Sequence, residues 1–467
     1  MKTWFLPTAL ALACALPAAA QLAGDEAAAA QFLDRSGHRL AGPEPTTAEL
    51  APIVAKLAGA RVIGLGEVTH GTHEDVAFKA LLFRELVKAG AVDTLAIEAN
   101  RVVGTGFDRF VRDGIGDPAA LILSPSAFKI FKNDEFAGTL VWLRAWNLAH
   151  PGRMVGVTAI DDQDGAVDAQ FALEVLSRHD PDGARRLRAA FGGMLPPPGA
   201  PRIRPSDWIA EHSAADVARA LAAAAELRDT FAGHAADWRA DPDYREAAYA
   251  ARLVWQNIRI FELDVKGSDT TALSGDYWSR RDRFMADNLL DRLGDGRRAV
   301  LWAHDDHVMH SYTSAWIKLG ATGLGVEVRR RLGAGYRTLG FTYTRATIIA
   351  TRGNDIDLKQ LVARQHDVPI AIDNGGADST GRVLAALPGD AWWFDAESGA
   401  PDGPARRWLD RPLWNGSAGW IIDPARFQKG KLADDASPMM MGFDILVWFR
   451  TLSPQHRWPI EETPSTG

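Results

Sequence analysis

The sequence predicts an α/β fold: a mainly parallel central sheet flanked by helices, with a helical subdomain inserted into it. Three observations carry this expectation. Seven short runs are apolar almost throughout, the pattern of strands covered on both faces: RVIGL (61–65), DTLAIEA (93–99), RMVGVTAI (153–160), RAVLWA (298–303), YRTLGFTY (336–343), DAWWFDA (390–396) and FDILVWF (443–449). Helical patterns alternate with the early runs, as βαβ units require. Between 164 and 275 the helical patterns follow one another with no strand-like run between them.

The first twenty residues read as an export signal. Lys2 supplies the charged region, residues 4–16 the apolar region, and Ala18, Ala19 and Ala20 the small-residue cleavage site before Gln21. The chain is therefore expected to be cut after Ala20 and to work in the periplasm or outside the cell. Cys14 is the one cysteine in the chain and lies inside this segment. A mature chain would have no disulfide, no thiolate nucleophile and no cysteine-held metal. No later stretch reaches the ~18 apolar residues of a membrane span.

Residues 21–163 are expected to form the N-terminal part of a catalytic core. Its first strand runs into GLGEVTHGTHED (64–75), which carries two histidines, three carboxylates and three glycines in twelve positions. A helix follows. Thr72 and Asp75 have the spacing of a capping box, Val76, Ala80, Phe83 and Val87 recur at helical spacing, and Gly90 stands where a terminating glycine belongs. His73, entering that helix, is expected to face solvent or the rim.

Residues 164–275 read as the helical insertion, placed to act as a lid. MLPPPGAPRIRP precedes two long helical patterns, SAADVARALAAAAELRDTF and DYREAAYAARLVWQNIRIFEL. Residues 276–467 complete the core, with SRRDRFMADNLLDRLGDG leading back to the strand at 298.

Composition narrows the partner. With 47% hydrophobic and 24% charged residues the chain is ordinary for a globular protein. A net charge of −7 offers no basic footprint for nucleic acid. A small-molecule substrate is the expected partner.

In parallel sheets, ligands bind beyond the carboxyl ends of the strands. Polar residues collect at that edge here. Glu67 and His70 follow the first run, Glu98 closes the second, Asp161 and Asp162 follow the third, and His304 and His307 follow the fourth. Taken singly, each is also what a helix cap or a hydrogen-bonded core residue looks like. Four strand ends together point to a site, because titratable groups cluster where chemistry is done.

No serine has glycine at both −2 and +2, so the nucleophile elbow is absent. Histidine-activated water remains, or a metal. Imidazole is suited to take a proton from water near neutral pH, and a carboxylate on its other nitrogen fixes the tautomer. A zinc alternative would use His70, His304, His307 and a carboxylate, although HGTHE matches neither H-E-x-x-H nor H-x-x-E-H. A third alternative is a haem- or ligand-binding protein with these histidines as axial ligands.

GLGEVTHGTHED, RDRFMADNLL and VLWAHDDHV, with GYRTLGFTY and FDILVWF after them, resemble the motifs of the erythromycin esterase family. The resemblance implies a fold related to ChaN-type lipoproteins. It also implies hydrolysis of a carboxylic ester, such as a macrolide lactone, by histidine-activated water, with no cofactor and no required metal. Carried over to this chain, His70 is the general base and Glu67 its companion, while Glu98, His304 and His307 line the same pocket. Lys79, nine positions after His70, would be an electrophilic helper on the substrate side; Asp161, from its place at the third strand end, is expected on that side too.

Overall fold

A computed structural model describes residues 22, 24–195, 205–264, 275–311, 321–352, 367–419, 421–422 and 436–458. The expected export signal and most of the Pro-rich connection lie outside the described residues. Ten described strands form one sheet: β1 (His38–Leu40), β2 (Val62–Leu65), β3 (Thr94–Asn100), β4 (Gly156–Asp161), β5 (Ala299–Trp302), β6 (Tyr336–Arg352), β7 (Asp367–Asp373), β8 (Ala391–Asp395), β9 (Ile421–Ile422) and β10 (Ile445–Leu452). The order β10-β6-β2-β5-β3-β4 is parallel throughout. Antiparallel β8 and then β1 extend it beyond β10. The mainly parallel α/β sheet expected from the sequence is present.

All seven expected strands form. The run at 336–343 continues to Arg352, because its outer half pairs with β7 and β9. The run at 390–396 pairs antiparallel to β10. β1, β7 and β9 are additions to the expected set.

Strand side chains alternate between two apolar layers, as period-two geometry dictates. Ile63, Leu65, Leu95, Ile97, Val300, Trp302, Val447 and Phe449 face one cluster, shared with Phe78, Phe83, Phe107 and Phe136 from helices on that side. Val62, Ala96, Ala299, Leu301, Leu446 and Trp448 face the other, with Met285 and Leu289 from the helix Gly275–Leu293. Each buried Leu, Ile or Phe contributes about 1.5–3 kcal/mol, so two such layers hold the sheet without covalent ties.

After β4 come the helices Gly165–His179, Pro181–Phe191, Ala214–Gly233 and Tyr244–Asp264, which share a separate apolar cluster. They also cover the free edge of β4. From Tyr244–Asp264, Tyr249 donates to the Ala159 carbonyl at 2.9 Å and Asn257 to that of Asp162, and from the helix Gly275–Leu293, Asn288 donates to Ile160 at 2.9 Å. Unpaired strand carbonyls at a sheet edge are costly or sticky, and these side chains satisfy them.

Candidate active site

The strand order places β2, β5, β3 and β4 side by side. Their carboxyl ends therefore deliver Glu67 and His70, then His304 and His307, then Glu98, then Asp161 along one rim. Glu98 sits in a register break of β3, between the pairs Ile97–Ala159 and Asn100–Asp161. An extra residue in one strand re-aims side chains there.

The opening loop has no room to vary at two glycines. A Cβ on Gly66 would clash with Asp305 Oδ1. Gly71 has φ +87° and lies against the Ile349 carbonyl, so both the left-handed backbone and the close approach call for glycine. The helix Glu74–Lys88 follows. Thr72 and Asp75 do not form the expected capping box. Thr72 Oγ1 donates instead to Asp75 Oδ1 at 2.7 Å, and His73 takes the cap position without capping through its side chain.

His70 Nδ1 lies 2.5 Å from Glu67 Oε1. Glu67 Oε2 accepts from Lys79 Nζ at 2.9 Å, and that ammonium lies over the Trp302 ring. Burial pushes the Glu67 carboxyl up, but the Lys79 charge and the hydrogen bond from His70 override it and hold the group down to about 2. An ionised Glu67 can only accept, so Nδ1 of His70 carries the proton that joins them. Nε2 then holds the lone pair, and among the described residues no side chain or carbonyl hydrogen-bonds it.

His304 stands 4.8 Å from His70, ring centre to ring centre. Its Nε2 lies 3.2 Å from the Ala418 carbonyl, and Nδ1 lies 3.2 Å from the Asp306 amide and 3.5 Å from the Asp306 carboxylate. The amide suits a neutral ring and the carboxylate a charged one. A full negative charge outweighs a peptide dipole here: burial disfavours the imidazolium, but Asp306 overrides it and His304 is pushed up to about 9.

His307 is held between two carboxylates, Nε2 at 3.2 Å from Glu98 and Nδ1 at 2.9 Å from Asp282. Burial pushes the ring down, and these two anions override it and hold it well above the usual histidine range. Arg281 Nη1, 3.2 Å from the same Nε2, is therefore a second cation beside the ring rather than a donor to it. Arg281 bonds Glu98 at 2.9 Å and grips Asp161 with two nitrogens at 2.7 and 3.1 Å. Next door, burial and the Asp161 charge push the Asp162 carboxyl well above its usual range.

Several expectations change with this geometry. Lys79 is fully buried on Glu67, so it positions that carboxylate and does not face substrate. Asp161 is fully buried on Arg281 in the same way. His304 and His307, expected to line the pocket, have both ring nitrogens on protein partners. His70, His304 and His307 do not assemble as a metal-ligand set among the described residues, nor do the two engaged rings offer a free axial ligand. His73, expected at the solvent edge, bonds Glu135 at 2.5 Å. Arg281 and Asp282 are the residues the sequence reading passed over as site members. Both stand at the head of the RDRFMADNLL motif, the one signal that could have marked them.

A parallel sheet that gathers imidazoles and buried carboxylates along its carboxyl rim defines an α/β enzyme-type centre. The chain belongs to the erythromycin esterase family: that family's profile, described as Erythromycin esterase, matches residues 88–452. The match takes in Glu98, Asp161, Arg281, His304 and His307 and starts after the loop of Glu67 and His70. An Escherichia coli protein described as erythromycin esterase type I is 22% identical over 316 residues, covering 64% of this chain and 74% of that protein. Three solved structures share the fold. A Bacillus cereus protein aligns with TM-score 0.74 at 17% identity, over 93% of this chain and 99% of its own. A succinoglycan biosynthesis protein gives 0.72 at 17%, over 92% and 98%. A mutant of the erythromycin esterase EreC in its open conformation gives 0.65 at 18%, over 91% and 99%. Family membership supports a hydrolase acting on a small molecule.

Proposed function

We propose that this chain is an exported carboxylic ester hydrolase in which His70 activates water. The observation that carries the reading is the Glu67–His70 pair, because it leaves a lone pair on Nε2. In the proposed reaction Nε2 takes a proton from water as its oxygen attacks the ester carbonyl carbon. The carbonyl oxygen becomes an oxyanion. The His304 imidazolium, 4.8 Å from the base, stabilises that charge through space. On collapse the carbon–alkoxide bond breaks and the His70 imidazolium returns its proton to the leaving oxygen. The products are a carboxylic acid and an alcohol.

Glu67 stabilises the His70 cation as it forms, and Lys79 keeps Glu67 ionised. His307, Glu98, Asp282, Arg281 and Asp161 make a buried charged network that fixes the floor beside His304. A macrolide lactone is the first ester to test, since the family's name and its Escherichia coli relative point there. Export rests on the pattern of residues 1–20, and N-terminal sequencing of the secreted protein checks cleavage after Ala20.

The experiment is mass spectrometry of a panel of esters and lactones incubated with the enzyme. For a lactone, a ring-opened product one water heavier than substrate, or for an open-chain ester, an acid and an alcohol whose masses sum to substrate plus water, formed by wild type and not by His70→Ala, supports the reading. Equal conversion by both, or none on any ester, contradicts it.

A further inference from the structure

Three segments meet beside the His70 loop. Residues 71–74 leave the loop, residues 133–135 begin the helix Asp134–Ala149, and residues 453–458 follow β10. Main-chain bonds tie them: His73 N to Ser453 O at 2.9 Å, Gln455 N to Gly71 O at 3.0 Å, and Asp134 N to His456 O at 3.0 Å. One side chain from each segment points into the junction. His73 Nδ1 lies 2.5 Å from Glu135 Oε1, His456 Nδ1 lies 3.4 Å from the same oxygen, and the two rings are 4.6 Å apart, tilted by 35°. One donor atom from each of the three lies within 4.8 Å of the others.

The geometry points to a divalent transition-metal site of the zinc type, formed by His73, Glu135 and His456 and separate from the His70 centre. Two imidazoles and one carboxylate are a common protein donor set for zinc, with water in the fourth position. Ligand atoms about 2.1 Å from a tetrahedral ion stand about 3.4 Å apart, so small side-chain shifts close this cluster onto an ion. Two further observations support it. Glu135 Oε2 is buried and has no hydrogen-bond partner among the described residues, on a side chain only 5% exposed. Such an orphaned acceptor asks for a ligand. Glu44 stands 4.0 Å from Nε2 of His73, from where a turn of its exposed side chain brings it onto that nitrogen. A metal on Nδ1 with a carboxylate on the opposite nitrogen is the usual outer arrangement of metal-bound histidine.

The alternative for the same atoms is a plain charged hydrogen bond between His73 and Glu135 with His456 stacked on it. The two differ in what an added ion does. When bound, the ion would join the His70 loop to the segment after β10, and so stiffen the loop.

The test uses the full mature chain, freed of metal with chelator and then titrated with Zn²⁺ or Co²⁺. One ion per chain is expected, with the visible absorption of four-coordinate Co²⁺ and a rise in Tm on adding Zn²⁺. His456→Ala changes an exposed side chain and should abolish the Co²⁺ band and the Tm rise while the metal-free Tm stays unchanged. Glu44→Gln should weaken binding by about tenfold or more. His70→Ala should bind the ion as wild type does. Absence of stoichiometric binding, undiminished binding by His456→Ala, or loss of binding in His70→Ala would overturn the proposal.

Discussion

Nδ1 of His70 lies 2.5 Å from Oε1 of Glu67, and the other oxygen of that carboxylate is held by a lysine with no solvent exposure. The tautomer of the proposed base is thus set by a charge buried one residue deeper. Lys79→Met removes that charge and leaves burial free to push Glu67 up from about 2. The acid limb of kcat/KM against pH should move to higher pH, while circular dichroism stays native. An unchanged limb would take Lys79 out of the account.

His304 gives an alkaline limb. Its folded value is about 9 against an ordinary 6.5, so the imidazolium is present through neutral pH and is lost as pH rises through 9. If that charge stabilises the oxyanion, kcat/KM should fall above about pH 9. His304→Gln should be slower throughout and lack this limb. The same shift makes a stability contribution that is fully present below pH 6.5 and disappears through 9. A wild-type alkaline limb retained in His304→Gln would show that another group titrates.

Asp75 carries a predictable stability cost. Burial and the neighbouring Glu67 charge push its carboxyl from 3.8 up to about 7, and its Oδ2 has no partner among the described residues. The folded chain holds this proton more tightly than the unfolded one. Stability from this group therefore falls as pH rises from about 4 to 7 and is level above. Asp75→Asn keeps the acceptor that Thr72 and the Val76 amide use and carries no charge. Its Tm advantage over wild type should grow across that window and plateau above pH 7. Parallel Tm curves would contradict the assignment.

The rim was legible in the sequence because strand ends are. Runs such as DTLAIEA and RAVLWA can only be covered strands, and the residue that ends such a run must stand at a sheet edge. Glu67, Glu98, His304 and His307 followed from that rule. Directions of side chains did not. Lys79 looks like an arm toward substrate at nine residues from His70, yet it lies on the helix face turned to Trp302 and Glu67. Arg281 meets Glu98 across 183 positions of chain and Asp161 across 120, pairings that no local spacing encodes. The Ala418 carbonyl on His304 was equally hidden, since a covering loop has no periodicity. β1, β7 and β9 escaped for a simpler reason: β1 has three residues with one buried, β7 carries Pro369 and exposed alternate positions, and β9 has two residues.

Whether His70 takes the proton from water is decided by kcat of His70→Ala on any accepted ester. A fall of roughly 10²–10⁴-fold is expected, the usual contribution of a general base. His73→Ala, measured beside it without added metal, should be far milder, because His73 points to Glu135 and away from the proposed reaction. Circular dichroism of both variants should match wild type. A folded His70→Ala that turns over at near the wild-type rate, with His73→Ala inactive, contradicts the account.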